Sequence, residues 1–327
     1  KNHVAILEGL SRGLKNRKSP LMIPLNLQKM LVRTFFENDS SRMRNASYHV
    51  LKVQGITEET LKDQSIEKAL SIIKDSTQKA DRRADAIDFL SLGDPSSYVT
   101  ILEKLLVPQE ESMVQLAAVR TLNLVPGAAV SEYVIQQWPE LTPEIRDAAI
   151  SILTHKPDRV NLLLNAMEKG VISPTSVSFW SSVGLMMQPD STLRHRARVI
   201  FTRSQEEGKK INEKYQQALK LTGDPVKGRA VYAQHCTICH QVRGETGIAI
   251  GPDLGTVHNW KKEDIMANIL DPNLSISAGF DLWNIELNTG ESLQGIIKSE
   301  TPAAITVVNS GKPDRTINRQ EIKSLKT

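Results

Sequence analysis

Residues 224–240 read Asp224-Pro225-Val226-Lys227-Gly228-Arg229-Ala230-Val231-Tyr232-Ala233-Gln234-His235-Cys236-Thr237-Ile238-Cys239-His240. Asp224 is a good helix N-cap, and Pro225 suits the first helical position, where its missing N–H has no partner to lose. The stretch predicts a helix from Pro225 to about Gln234 and a new domain opening at Gly223. Cys236 and Cys239 then stand three apart with His240 adjoining, the C-x-x-C-H spacing of c-type heme attachment. Cysteines at i and i+3 project from one side of a helical turn, so both sulfurs can bond the two vinyl groups of one porphyrin. The next residue, His240, falls under the ring, where its Nε2 can bind iron. Two other chemistries use close cysteine pairs. A structural zinc site needs four ligands; the chain has no third cysteine, and only His235 and His258 lie near enough in sequence to help. A thioredoxin-like dithiol belongs in a βαβ context, whereas here a helix precedes the pair. One covalently attached heme c is the reading these residues favour, held by Cys236, Cys239 and His240.

Working outward, composition sets the frame. A chain of 327 residues predicts two or three domains. At 40% hydrophobic and 24% charged it is ordinary globular material, which excludes disorder. No run approaches the ~18 apolar residues of a membrane span, and two cysteines cannot form a disulfide scaffold. The net charge of +4 is unevenly divided, but neither part of the chain carries a dense basic stripe, so no nucleic-acid partner is expected. The most basic run, Arg194-His195-Arg196-Ala197-Arg198, reads as a solvated helix face. His3, His49, His155 and His195 have no Cys or carboxylate at ligand spacing and read as packing or surface residues. The sequence starts at Lys1 without an initiator Met or a signal-peptide pattern, which suggests a removed leader or a segment of something longer.

The first two hundred residues read as helices joined by short polar breaks, with apolar positions three and four apart, as in Leu163-Leu164 and Met167. Three heptapeptides align: Ala84–Leu90, Leu116–Leu122 and Asp147–Leu153. Their central alanines, Ala86, Ala118 and Ala149, are 32 and 31 residues apart. Small residues on the packing side let a neighbouring helix approach closely. A helical unit repeated at such a period points to an α-solenoid. Over about 75–170 the chain resembles HEAT-like repeats, although the period is shorter than usual for that class; an irregular helical bundle is the plainer alternative. The predicted order is a HEAT-like domain over 1–204, a linker helix within 205–222, and a heme domain over 223–327.

The heme domain carries further motifs. Gly228 and Tyr232 precede the cysteines, and Gly251-Pro252-Asp253-Leu254 begins eleven residues after His240. Together these resemble class I cytochromes c. The resemblance implies that Gly228 allows close helix crossing, that Tyr232 packs near the heme, and that the Pro252 carbonyl accepts a hydrogen bond from His240 Nδ1. With Asn268-Ile269-Leu270-Asp271-Pro272-Asn273 and the Gly279-Phe280 turn, the whole stretch is similar to the heme-binding domain of multidomain proteins of Planctomycetes, Verrucomicrobia and Bacteroidetes. In that family HEAT-like repeats often precede the heme domain, and a sugar-dehydrogenase-like β-propeller often precedes those.

Alternation at 282–287 and the turn that follows predict a first strand, with further strands at 293–298 and 304–308 and a segment at Arg315-Thr316-Ile317. The expected architecture is therefore mainly α: a helical solenoid, then a cytochrome c-like domain with a small antiparallel β insertion at about 280–322. A distal iron ligand is harder to place. Met266 lies at helical spacing suited to a core residue, and His258 is a weak candidate. The family resemblance implies a distal methionine from a Met-Pro loop after the β insertion, then a closing helix; the sequence ends at Thr327, where that loop would begin. The leading expectation is an electron-transfer module, relaying electrons from a dehydrogenase domain or partner, of carbohydrate or polyol substrate by family association, to a respiratory acceptor. Covalent heme attachment points to the bacterial periplasm or cell surface. A scaffold with an accessory heme, or a heme enzyme acting on peroxide, are the alternatives; no catalytic residue is assigned.

Overall fold

A computed structural model describes residues 2–16, 23–201, 215–245, 247–270, 279–309 and 312–327. The chain divides into two compact units, residues 1–130 and 131–327. Helices dominate, with one small antiparallel sheet near the C-terminus.

The first unit holds α1 (Asn2–Lys15), α2 (Leu25–Glu37), α3 (Ser41–Gln54), α4 (Glu59–Lys74), α5 (Ala80–Phe89), α6 (Val99–Glu103) and α7 (Ser112–Leu122). Its core centres on aromatic contacts among Phe35, Phe36, Tyr48 and Phe89, with Phe35 and Phe89 ring centroids 4.6 Å apart. Buried Arg44 on α3 donates to Asp81 and Asp85 on α5, each at 2.6 Å. Burial pushes the Asp85 carboxyl up, against the pull of Arg44. The aligned heptapeptides at Ala86 and Ala118 fall in α5 and α7, which pack together, and both alanines are buried. Thr121 Oγ1 on α7 donates to the Ile87 carbonyl on α5, a contact that small side chains permit.

The second unit contains most of α8 (Ala129–Gln137), then α9 (Pro143–Thr154), α10 (Pro157–Glu168), α11 (Phe179–Met186) and α12 (191–201). Ala149, the third aligned alanine, is buried on α9. The basic run on α12 is more engaged than a solvated face. Arg196 pairs with Glu168 and donates to Asn161 and Asn165 on α10. The linker helix expected within 205–222 falls largely on residues outside those described; its described end is a 3-10 turn, Gln216–Lys220.

The sheet runs β1 (Leu282–Leu287), β2 (Ser292–Glu300), β3 (Ala304–Val308), β4 (Arg315–Asn318) and β5 (Ile322–Lys326), in the order β4-β3-β2-β1-β5, with every neighbouring pair antiparallel. Gly290, at φ 84°, turns β1 into β2. One face is apolar: Trp283, Ile285, Leu287, Ile297, Ile305, Val307, Ile317, Ile322 and Leu325 form a core. Strand β5 lies beyond the end expected for the insertion. Its two apolar residues, Ile322 and Leu325, are three apart, so no alternation marks them. The register between β1 and β5 shifts at Glu286/Leu287, pairing Glu286 with Ser324 but Leu287 with Ile322. That irregularity absorbs one residue and turns both apolar side chains inward.

The sheet rests on the helical part of its own unit. The Arg146 guanidinium on α9 lies 5.5 Å from the Trp138 ring and 4.7 Å from the Trp283 ring. Arg146 also donates to Thr327 Oγ1 at 2.8 Å, and Thr327 N–H donates to the Pro139 carbonyl at 3.2 Å. Burial lowers the Arg146 pKa, partly countered by Asp281. Within the sheet, a Cβ at Gly295 would stand 2.5 Å from the Val308 carbonyl oxygen and 2.6 Å from Val307 Cγ1. Gly295→Ala is therefore expected to destabilise the sheet by about 1–3 kcal/mol, as overpacking does; a lowered urea midpoint at unchanged slope would show it.

Candidate functional site

The site is built on α13 (Pro225–His235), a 3-10 turn (Leu254–Val257) and α14 (Lys262–Leu270). Asp224 caps α13 through its carboxylate, which accepts from the N–H groups of Val226 and Lys227. The helix carries Tyr232 and ends at His235, so Cys236, Cys239 and His240 lie in the turn that follows it. The Cys239 and His240 N–H groups both donate to the Cys236 carbonyl, at 3.1 and 2.9 Å. Both cysteines are free thiols and half-buried.

The loop after His240 folds back along this turn. Ile248 N–H donates to Thr237, Ile250 and Gly251 N–H donate to Cys239, and Leu254 N–H donates to Gln241, all backbone to backbone. The His240 Nδ1 lies 2.8 Å from the Pro252 carbonyl oxygen. With Nδ1–H donating to that oxygen, the lone pair of Nε2 is left available for a metal. Gly251 lies flat against the imidazole: a Cβ there would come within 2.6 Å of His240 Nδ1. Gly247, at φ 124°, passes so close to the His240 carbonyl that a Cβ would stand 3.0 Å from its carbon. Tyr232 Oη donates to the His240 carbonyl at 2.9 Å. Desolvation raises the Tyr232 pKa, with smaller contributions from Cys236 and Asp253.

The other sequence candidates stand apart from this cluster of bonds. A Cβ at Gly228 would meet nothing within 4 Å, so no close helix crossing is made there among the described residues. Met266 is half-buried on α14, and His258 is exposed with Nδ1 3.0 Å from the Gly255 carbonyl. Neither is tied to His240 by a described bond. Asn268 Nδ2 donates to the Asp264 carbonyl within α14; the rest of that expected motif, from Asp271, lies outside the described residues. Sequence reasoning assigned no role to Gly247, Tyr232 Oη or the Asp253 side chain. The quoted Gly-Pro-Asp-Leu string contained Asp253, but nothing in its spacing shows what a carboxylate will accept from.

The residues present fit a porphyrin. Between Gly223 and Leu270 no described residue is buried, although Val231, Ile238, Trp260 and Ile269 are each about half exposed or more. A segment with that many uncovered apolar side chains and no internal core suits a large flat apolar partner. The donor set suits it too: two thiols three apart and an imidazole already oriented by its second nitrogen. Among the described residues no group of three or more His, Cys, Asp and Glu side chains is assembled to hold a metal ion. No helix among the described residues is long and apolar enough to cross a membrane.

No curated protein and no solved structure matches the chain. Residues 225–300 do match the family model for cytochrome c, a span that opens at the first residue of α13 and contains Cys236, Cys239, His240 and Pro252. The chain thus carries a cytochrome c domain over residues 225–300, and its two cysteines three residues apart fit one covalently bound heme c.

Proposed function

We propose that this chain is a c-type cytochrome electron-transfer module, taking electrons from a dehydrogenase domain or partner protein and passing them to a respiratory acceptor. A cytochrome c domain supports heme-based electron transfer in general. When bound, heme c supplies one-electron chemistry by cycling between Fe(II) and Fe(III). The chain's own residues do the holding. Cys236 and Cys239 would carry the thioether bonds, and His240 would bind the iron through Nε2. The single observation that carries this reading is the His240 Nδ1 to Pro252 carbonyl contact at 2.8 Å, directly after two free thiols. That contact would fix the imidazole plane and raise the basicity of Nε2 toward a bound iron. The helical part of the chain, read as HEAT-like, serves as a spacer or docking platform for the heme. A carbohydrate or polyol dehydrogenase as donor, and the periplasm or cell surface as location, follow from the family resemblance and the thioether chemistry.

The test is a pyridine hemochrome spectrum with intact mass on protein matured beside a heme-attachment system, expecting one heme per chain. A chain with neither added mass nor colour overturns the reading. Cys236→Ala alone, or Cys239→Ala alone, should retain heme through one thioether and shift the hemochrome α-band to longer wavelength, since one vinyl group stays conjugated. A methionine-to-iron charge-transfer band in the ferric protein would identify a methionine as the sixth ligand.

A further inference from the structure

The Asp253 carboxylate gathers three backbone donors. Oδ1 accepts from the N–H groups of Arg243 and Gly255, and Oδ2 accepts from Gly244 N–H, each at 2.7 Å. Accepting from Gly255, Arg243 and Gly244 holds its carboxyl below the usual range. The donors come from two segments ten residues apart: the turn after His240 and the loop that contains Pro252. Their backbone is unusual. Arg243, at φ 54°, is the one non-glycine residue with positive φ among the described residues, and Gly244 follows at φ 72°. The two form the centre of a tight turn closed by Val242 and Glu245, and the turn's successive N–H groups point at one place, where an anion can sit. Asp253 fills it from within the chain. Gly255 closes the arrangement: a Cβ there would stand 2.7 Å from Arg243 Cγ and 2.9 Å from Asp253 Oδ1.

The place of this latch gives it a consequence at the histidine. Asp253 follows Pro252 directly, and Arg243 lies three residues after His240. The carboxylate therefore ties together the two strands of chain that carry the donor and the acceptor of the His240–Pro252 contact. Leu254 N–H to the Gln241 carbonyl is the only other described bond between 241–244 and 252–255. We propose that Asp253 is a positioning residue for the proximal histidine: it fixes the Pro252 carbonyl on His240 Nδ1 and so sets the basicity of the imidazole and the reduction potential it supports. The inference rests on the heme reading above.

The test compares wild type, Asp253→Asn and Asp253→Ala as heme-loaded full chains. Two quantities are read: reduction potential by redox titration, and exchange of the His240 Nδ1 proton by NMR in the ferrous state. A weaker Nδ1–H···O bond makes His240 a poorer donor and favours Fe(II), so the potential should rise. Asparagine keeps one oxygen for Arg243 and Gly255 but turns an NH2 toward Gly244. The expected order of potential is wild type, then Asn, then Ala. The Nδ1 proton of the Ala variant should exchange several-fold faster than in wild type, because the oxygen that shields it is no longer held in place. A merely structural Asp253 would lower the melting temperature and leave potential and Nδ1 exchange at their wild-type values, which overturns the proposal. If the Ala variant fails to load heme, the Asn variant decides: a raised potential with faster exchange supports the proposal, and wild-type values for both sink it. Wild-type protein without heme would instead defeat the function reading itself, so the two failures are distinguishable.

Discussion

Protein with both Cys236 and Cys239 replaced by alanine will be recovered at the mass of its amino acids alone, without heme absorbance, even when matured beside a heme-attachment system. Both thioether positions are gone, and His240 alone gives a reversible bond that purification strips away. The effect should reach beyond colour. Every described side chain between Gly223 and Leu270 is at least partly exposed, and α13 and α14 bury nothing. A stretch of this size without a buried core cannot offset the entropy of ordering its own backbone. Backbone amides of α13 in the double variant should therefore exchange with solvent orders of magnitude faster than in the loaded protein, while those of β1 and β2 keep their protection. Hydrogen exchange read by mass spectrometry checks both halves of this statement. Retained protection across α13 without heme would show that the segment finds its stability elsewhere.

Trp283→Ala should destabilise the sheet by about 3–5 kcal/mol, the usual range for deleting a buried aromatic. Trp283 is wholly buried, belongs to the sheet core and faces the Arg146 guanidinium at 4.7 Å. Its removal opens a cavity under β1 and leaves one side of a desolvated cation without its aromatic cover. Trp283→Phe keeps a ring in the same place and should cost markedly less. Denaturant unfolding monitored by far-UV circular dichroism, comparing both variants with wild type, is the measurement. Equal losses for Ala and Phe would mean that the indole's shape, rather than its ring face toward Arg146, carries the contribution.

The legible parts of the molecule were those where one residue type can do one thing. Asp224 and Pro225 announce the start of α13 because a carboxylate accepts from free N–H groups and proline lacks one. Strand β1 shows through alternation because one face of the sheet is buried. The alanines at 86, 118 and 149 mark buried helix positions for a similar steric reason. Illegible were features that depend on irregular backbone or distant partners. Strand β5 hid behind a register shift that breaks the two-residue period. The packing of Trp283 on Arg146 joins residues 137 positions apart, which no local pattern can encode. At the site, His240 and Pro252 were readable as types at a spacing. The carboxylate of Asp253, Gly247 against the His240 carbonyl, and Arg243 at positive φ depend on how the loop folds back, and that is set by tertiary contact.

The contact of Thr327 with Arg146 spans 181 residues, and the whole cytochrome c match lies inside that span. Bringing the ends of so long a chain together carries a loop-closure cost that grows only with the logarithm of its length, about 0.6 kcal/mol per doubling. Anything that orders the intervening chain shortens the effective loop. Cofactor attachment at Cys236 and Cys239 and the seating of β5 and Thr327 on Arg146 and Pro139 would thereby be linked without touching, each making the other slightly easier.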